Sequence, residues 1–114
     1  MPSILDAATV TLGPLGDGIE HVSWSEGGYD APHLLIIRNV ADSDGYCVIV
    51  NNNPHYGGVL AFEVEPGETR LTLSAQAAHE LSVERTVTIR YEPAAVDTGH
   101  LGITLGKLLD LPVT

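Results

Sequence analysis

Arg70-Leu71-Thr72-Leu73-Ser74-Ala75-Gln76-Ala77-Ala78-His79-Glu80-Leu81 changes its periodicity at Ser74, and that change sets the fold class. Leu71 and Leu73 alternate with Arg70 and Thr72, the two-residue period of a strand with one buried face. Ser74 is a good N-cap, and Ala75 to Leu81 then reads as a helix of about two turns. A helix this short is not stable alone and has to pack on a sheet. Thr86 to Tyr91 returns to strand, with Val87, Ile89 and Tyr91 pointing one way and Thr86, Thr88 and Arg90 the other. Strand, short helix and strand in one run predict an α+β domain.

Upstream, strands alternate with turns. Ala8 to Leu12 is a short strand, followed by a turn region at Gly13-Pro14 and Gly16-Asp17-Gly18. Ile19 to Trp24 alternates again and ends at Gly27-Gly28. Leu34-Leu35-Ile36-Ile37 is continuously apolar, which predicts a central strand covered on both faces. Asp42-Ser43-Asp44-Gly45 turns it into Tyr46 to Val50, a hairpin. Asn51-Asn52-Asn53-Pro54 is the next turn, Tyr56 to Val64 the next strand, and Pro66-Gly67 closes it tightly.

Downstream, Asp97 or Thr98 caps a final helix through Leu109, with Leu101, Leu105, Leu108 and Leu109 as its apolar stripe. Gly99, Gly102 and Gly106 oppose it by about 1 kcal/mol each, so a loop with one helical turn is the alternative. The expected architecture is one domain over residues 1–114. It has a mostly antiparallel sheet of six or seven strands, with one or two helices on one face.

Composition narrows the function. The 114 residues are 44% apolar, ordinary for a globular chain, but 15 acids stand against five Lys and Arg, a formal net charge of −10. Asp6, Asp17, Glu20, Glu26 and Asp30 precede the first basic residue, Arg38. Such a field repels phosphate backbones and anionic membrane surfaces, so neither nucleic acid nor membrane is an expected partner. It attracts a basic protein, although solubility alone also explains acidity. No stretch approaches the ~20 apolar residues of a membrane span, Met1 to Val10 has no signal-peptide pattern, and Cys47 is the single cysteine; the expected compartment is the cytoplasm.

No pattern announces catalysis. His21, His33, His55, His79 and His100 fall on different elements without metal spacing, so surface or edge positions are expected for them. Cys47, inside an apolar strand, reads as a buried, inert thiol. No nucleophile-elbow, phosphate-loop or dinucleotide motif occurs. Glu63 and Glu65 share a strand face, the arrangement of a paired-carboxylate site but more simply a solvated face. No cofactor and no metal is expected. Tyr56-Gly57-Gly58 requires either positive φ or a close approach of another chain segment, and it presents Tyr56 beside bare backbone.

From residue 33 onward the order of features resembles the immunity protein 10 family, small proteins encoded beside bacterial polymorphic toxins. The resemblance is carried by His33-Leu34-Leu35-Ile36-Ile37-Arg38, Gly45-Tyr46-Cys47-Val48-Ile49-Val50-Asn51, Tyr56-Gly57-Gly58-Val59, Leu71-Thr72-Leu73, the helix with Ala77-Ala78 and Leu81, and Val87-Thr88-Ile89-Arg90-Tyr91. It implies an inhibitor that binds and neutralises one cognate toxin, and acidity suits a basic one such as a nuclease. The expected contact surface combines Asp17, Glu20, Glu26 and Asp30 with the aromatic anchors Trp24, Tyr29 and Tyr56, Trp24 doubling as a core candidate. A small-ligand binding domain and a small enzyme with dispersed catalytic groups are the alternatives. A deep apolar pocket with convergent polar groups marks the first, a His–carboxylate pair in a cleft the second.

Overall fold

The computed structural model describes residues 4–16, 18–27, 32–39 and 45–111, with Leu15 and Asn39 described by backbone alone. The chain is α+β. Its strands are β1 (Ile4–Asp6), β2 (Thr9–Gly16), β3 (Ile19–Ser25), β4 (His33–Asn39), β5 (Tyr46–Val50), β6 (Asn53–Tyr56), β7 (Val59–Glu65), β8 (Glu68–Leu73) and β9 (Thr86–Arg90). Its α-helices are α1 (Ala75–Leu81) and α2 (Thr98–Leu109), with one 3-10 turn at Pro93–Ala95 between β9 and α2.

These strands form two sheets where one of six or seven strands was expected. One sheet has the order β2-β3-β4-β5-β6, the other β1-β9-β8-β7. All neighbours are antiparallel except β1 and β9. The division falls at Gly57-Gly58, between β6 and β7, where both residues have positive φ (73° and 95°) and break what read as one strand from Tyr56 to Val64. The Tyr46 hydroxyl binds across the division. It accepts from the Val59 N–H at 2.9 Å and donates to the Val59 carbonyl at 3.3 Å.

The core lies between the sheets. Val22, Trp24, Leu34, Ile36 and Val48 come from one inner face and Phe62, Leu71, Leu73, Val87 and Ile89 from the other, all buried. Helix α2 lies against β7 of one sheet and β2, β3 and β4 of the other. Leu101, Leu105, Leu108 and Leu109 are buried there, each contributing roughly 1.5–3 kcal/mol. That burial outweighs the three glycines. The helix ends are also satisfied: Asp97 Oδ1 accepts from the His100 N–H (2.9 Å), and Arg38 Nη1 donates to the carbonyls of Lys107 (3.4 Å) and Leu108 (3.1 Å).

At α1, Ser74 Oγ accepts from the Ala77 N–H at 3.1 Å, the cap read from the sequence. His55 Nδ1 meets Glu80 Oε2 at 3.0 Å and Asn53 Nδ2 donates to the Glu80 carbonyl at 2.7 Å, which ties the helix to β6.

Several local readings change. Gly13-Pro14 is not a turn: β2 runs through it to Gly16, because β2 is an edge strand and tolerates a residue without an N–H. Asn51 and Asn52, both left-handed (φ 49° and 70°), make the β5–β6 turn, while Asn53 and Pro54 belong to β6. Ile4–Asp6 is a strand because β9 offers it a parallel edge, a partner with no local signature. Gly45 (φ 92°) enters β5, whereas Asp42, Ser43 and Asp44 lie outside the described residues.

Candidate partner-binding surface

Asp17, Tyr29 and Asp30 lie outside the described residues. Trp24 is fully buried in the core, so it is not a surface anchor; its inward position on β3 places it between Val10 and Leu34 on neighbouring strands. Among the described residues its indole N–H meets no hydrogen-bond partner, a cost of about 1–3 kcal/mol. Glu20 is half-buried on the inner face of β3, opposite Arg38. Glu26 is exposed just past the other end of that strand and accepts from the Asp6 N–H at 3.3 Å. At about 3.3 Å per residue the two glutamates are roughly 20 Å apart along the strand, so they do not share one patch. Tyr56 is 71% exposed.

Tyr56 ends a row of side chains on the outer face of the five-stranded sheet. Strand register places His21, Ile37, Cys47 and Tyr56 side by side, and Ser23, Leu35, Ile49 and Pro54 in the next row. The β2–β3 half of this face is polar, through Thr9, Thr11, Ser23 and Ser25. The β4–β6 half is apolar. Leu35, Ile37 and Ile49 are half-buried, and among the described residues no element packs over them: both helices lie on the inner side. The expectation of a strand covered on both faces therefore fails at β4. Continuous apolar runs at Leu34–Ile37 and Cys47–Ile49 were the available signal. Two apolar faces suggest two covering layers, so such runs read as core.

The outer face of the four-stranded sheet is different. Arg70 reaches Glu63 (2.8 Å), Glu65 (3.4 Å) and Glu68 (3.4 Å), and Arg90 stands 3.8 Å from Glu68. Glu63 and Glu65 thus flank a shared guanidinium on a solvated face, where such pairs contribute about 0–1 kcal/mol.

The remaining chemistry is internal. His21 is buried, unlike the expected surface position, and its Nδ1–H donates to the Gly13 carbonyl at 2.7 Å. Cys47 is half-buried, not buried, and desolvation raises its thiol pKa. Desolvation also raises Tyr46 and Tyr91, against the lowering effect of hydrogen bonds to Val59 and Thr69. The His55–Glu80 pair packs beneath Gly58 and serves the β6–α1 junction. Among the described residues no three His, Cys, Asp or Glu side chains are grouped to hold a metal ion, and no helix is long and apolar enough to cross a membrane.

Two clefts open at the sheet ends. One, of about 470 Å³, is walled by Leu5, Leu34, Val50, Leu81 and Val87. Its polar rim is engaged: Asn51 Oδ1 accepts from the His33 N–H at 2.9 Å, and Asn53 holds α1. The other, of about 620 Å³, lies between α2 and Pro14, Glu20 and Arg38. No family model, no curated protein and no solved structure matches this chain.

Proposed function

We propose that the protein acts by binding a basic partner protein, and that this partner is a toxin it neutralises, the role that resemblance to the immunity protein 10 family implies. The supporting observation is the use of its few cations. Arg38 is spent on the carbonyls at the end of α2, Arg70 on three glutamates and Arg85 on the Leu73 carbonyl at 3.2 Å, while Arg90 sits beside Glu68. Four of the five Lys and Arg side chains thus meet the protein's own acceptors, Lys107 on α2 being exposed, and the 15 acids leave a net charge of −10. Such a field speeds encounter with a basic surface and repels nucleic acid that would compete for it.

The proposal places the protein in the cytoplasm, where a toxin is made and must be held inactive. Co-expression with the product of the adjacent gene tests it. Rescue of growth together with a stable complex is the expected result. An adjacent product that is neither toxic nor bound would overturn the toxin assignment.

A further inference from the structure

We infer that the cleft between α2 and the end of the five-stranded sheet binds a small zwitterion of the apolar α-amino acid class. The cleft lies on the inner side of that sheet, and its occupancy does not depend on the toxin reading.

Strand register and helix periodicity bring its lining together. Pro14, Glu20 and Arg38 are neighbours in one row across β2, β3 and β4 and form the floor. His100, Thr104 and Lys107 are four and three residues apart, so one face of α2 supplies the wall. Arg38 ties floor to wall, because its Nη1 donates to the carbonyls of Lys107 (3.4 Å) and Leu108 (3.1 Å). The cleft measures about 620 Å³, within the roughly 300–1,000 Å³ of small-molecule sites.

Its charged groups do not meet one another. Directly paired residues on neighbouring strands stand about 5 Å apart at Cβ, so Glu20 has Arg38 beside it. Arg38 donates to the end of α2 instead, and among the described residues the half-buried Glu20 side chain has no hydrogen bond or ion pair. Lys107 is likewise the one Lys or Arg whose side chain meets no acceptor among the described residues. The cleft thus holds an acid on its floor and a cation on its wall, each without a partner.

Those groups select the ligand. A metal ion or a simple organic cation meets Glu20 but also the positive charges of Arg38 and Lys107. A simple anion meets the two cations but also Glu20. An uncharged apolar molecule would cover Glu20 and take it out of water with no bond in exchange. A zwitterion satisfies both poles: its ammonium donates to Glu20 and its carboxylate accepts from Lys107. An apolar side chain then has the exposed ring of Pro14 and the edge of Leu108 to lie against. His100 and Asp110 also line the cleft but are exposed, where water screens them. A ligand without net charge is not repelled by the net charge of −10.

The test titrates isotope-labelled protein with leucine, with leucinamide, which lacks the carboxylate, and with N-acetyl-leucine, which lacks the ammonium. Salt of about 0.15 M screens the long-range charge. Backbone amide shifts with leucine should centre on Glu20, Arg38 and Thr104 to Leu108, and each of the other two compounds should bind at least about tenfold more weakly. Glu20→Gln, which keeps the shape of the side chain, should remove the preference for leucine over N-acetyl-leucine. Lys107→Gln, at an exposed position that leaves the fold intact, should remove the preference for leucine over leucinamide. Melting temperatures separate loss of the site from loss of the fold; if Glu20→Gln does not fold, Lys107→Gln decides alone. Shifts centred elsewhere, no binding of leucine, or equal affinity for the three compounds would overturn the inference. So would preferences that survive the substitutions.

Discussion

A side chain on Gly58 would place its Cβ 2.5 Å from the Cβ of Ala77, the residue that α1 turns towards the chain where the two sheets divide. No real pair of carbons packs this closely, and φ of 95° at Gly58 is itself unfavourable for any other residue. Gly57 is also left-handed (φ 73°) but faces open space. Gly58→Ala is therefore expected to destabilise by about 2 kcal/mol or more, through strain and displacement of α1, and Gly57→Ala by only about 1 kcal/mol. Denaturant midpoints of the two variants, at equal m-values, check the ranking; similar losses would remove the contact with Ala77 from the explanation.

Tyr46→Phe is expected to cost about 1–3 kcal/mol, because it leaves the Val59 N–H and carbonyl at the sheet division without their hydroxyl partner. The same group carries a pH dependence. Burial raises Tyr46 and Tyr91 above the ordinary value of about 10, so the folded state keeps protons that the unfolded chain gives up. Their contribution is fully present below about pH 10 and is lost as pH rises through the folded values. Unfolding free energy should fall above pH 10, and Tyr46→Phe with Tyr91→Phe should flatten that fall. An unchanged alkaline slope in the double variant would refute the assignment.

Arg38→Met keeps the length of the side chain but removes its donors to the end of α2. The expected loss is about 1–2 kcal/mol. Hydrogen exchange of the last turn of α2 should rise while that of α1 stays constant. Equal protection in both proteins would mean that the carbonyls are satisfied by water at no cost.

Cys47 lies on the outer face of the five-stranded sheet, half-buried and with its thiol raised by desolvation. At neutral pH it should react with a thiol reagent more slowly than in the unfolded chain. Equal rates in the folded and unfolded chain would refute shielding of the thiol by the fold.

What could be read from the chain in order were the features closed within a few residues. Ser74 caps α1 through the N–H of Ala77, and Asp97 caps α2 through that of His100, three positions away in each case. Pro66-Gly67 joins β7 to β8, and the alternation in Thr86 to Tyr91 selects Val87 and Ile89 for the core. Such groups meet whatever the rest of the chain does, so residue type and spacing determine them. Tertiary structure decided the rest. The division into two sheets depends on Gly58 meeting Ala77 and on Tyr46 meeting Val59, 13 positions apart. Strand β1 exists only because β9 is beside it. Whether Leu35 and Ile49 are core or surface is not a property of their strands, since period two assigns them a face and not a neighbour. Burial of that face requires a second layer, and both helices went to the other side because the inner faces of two sheets offered them more apolar area to cover.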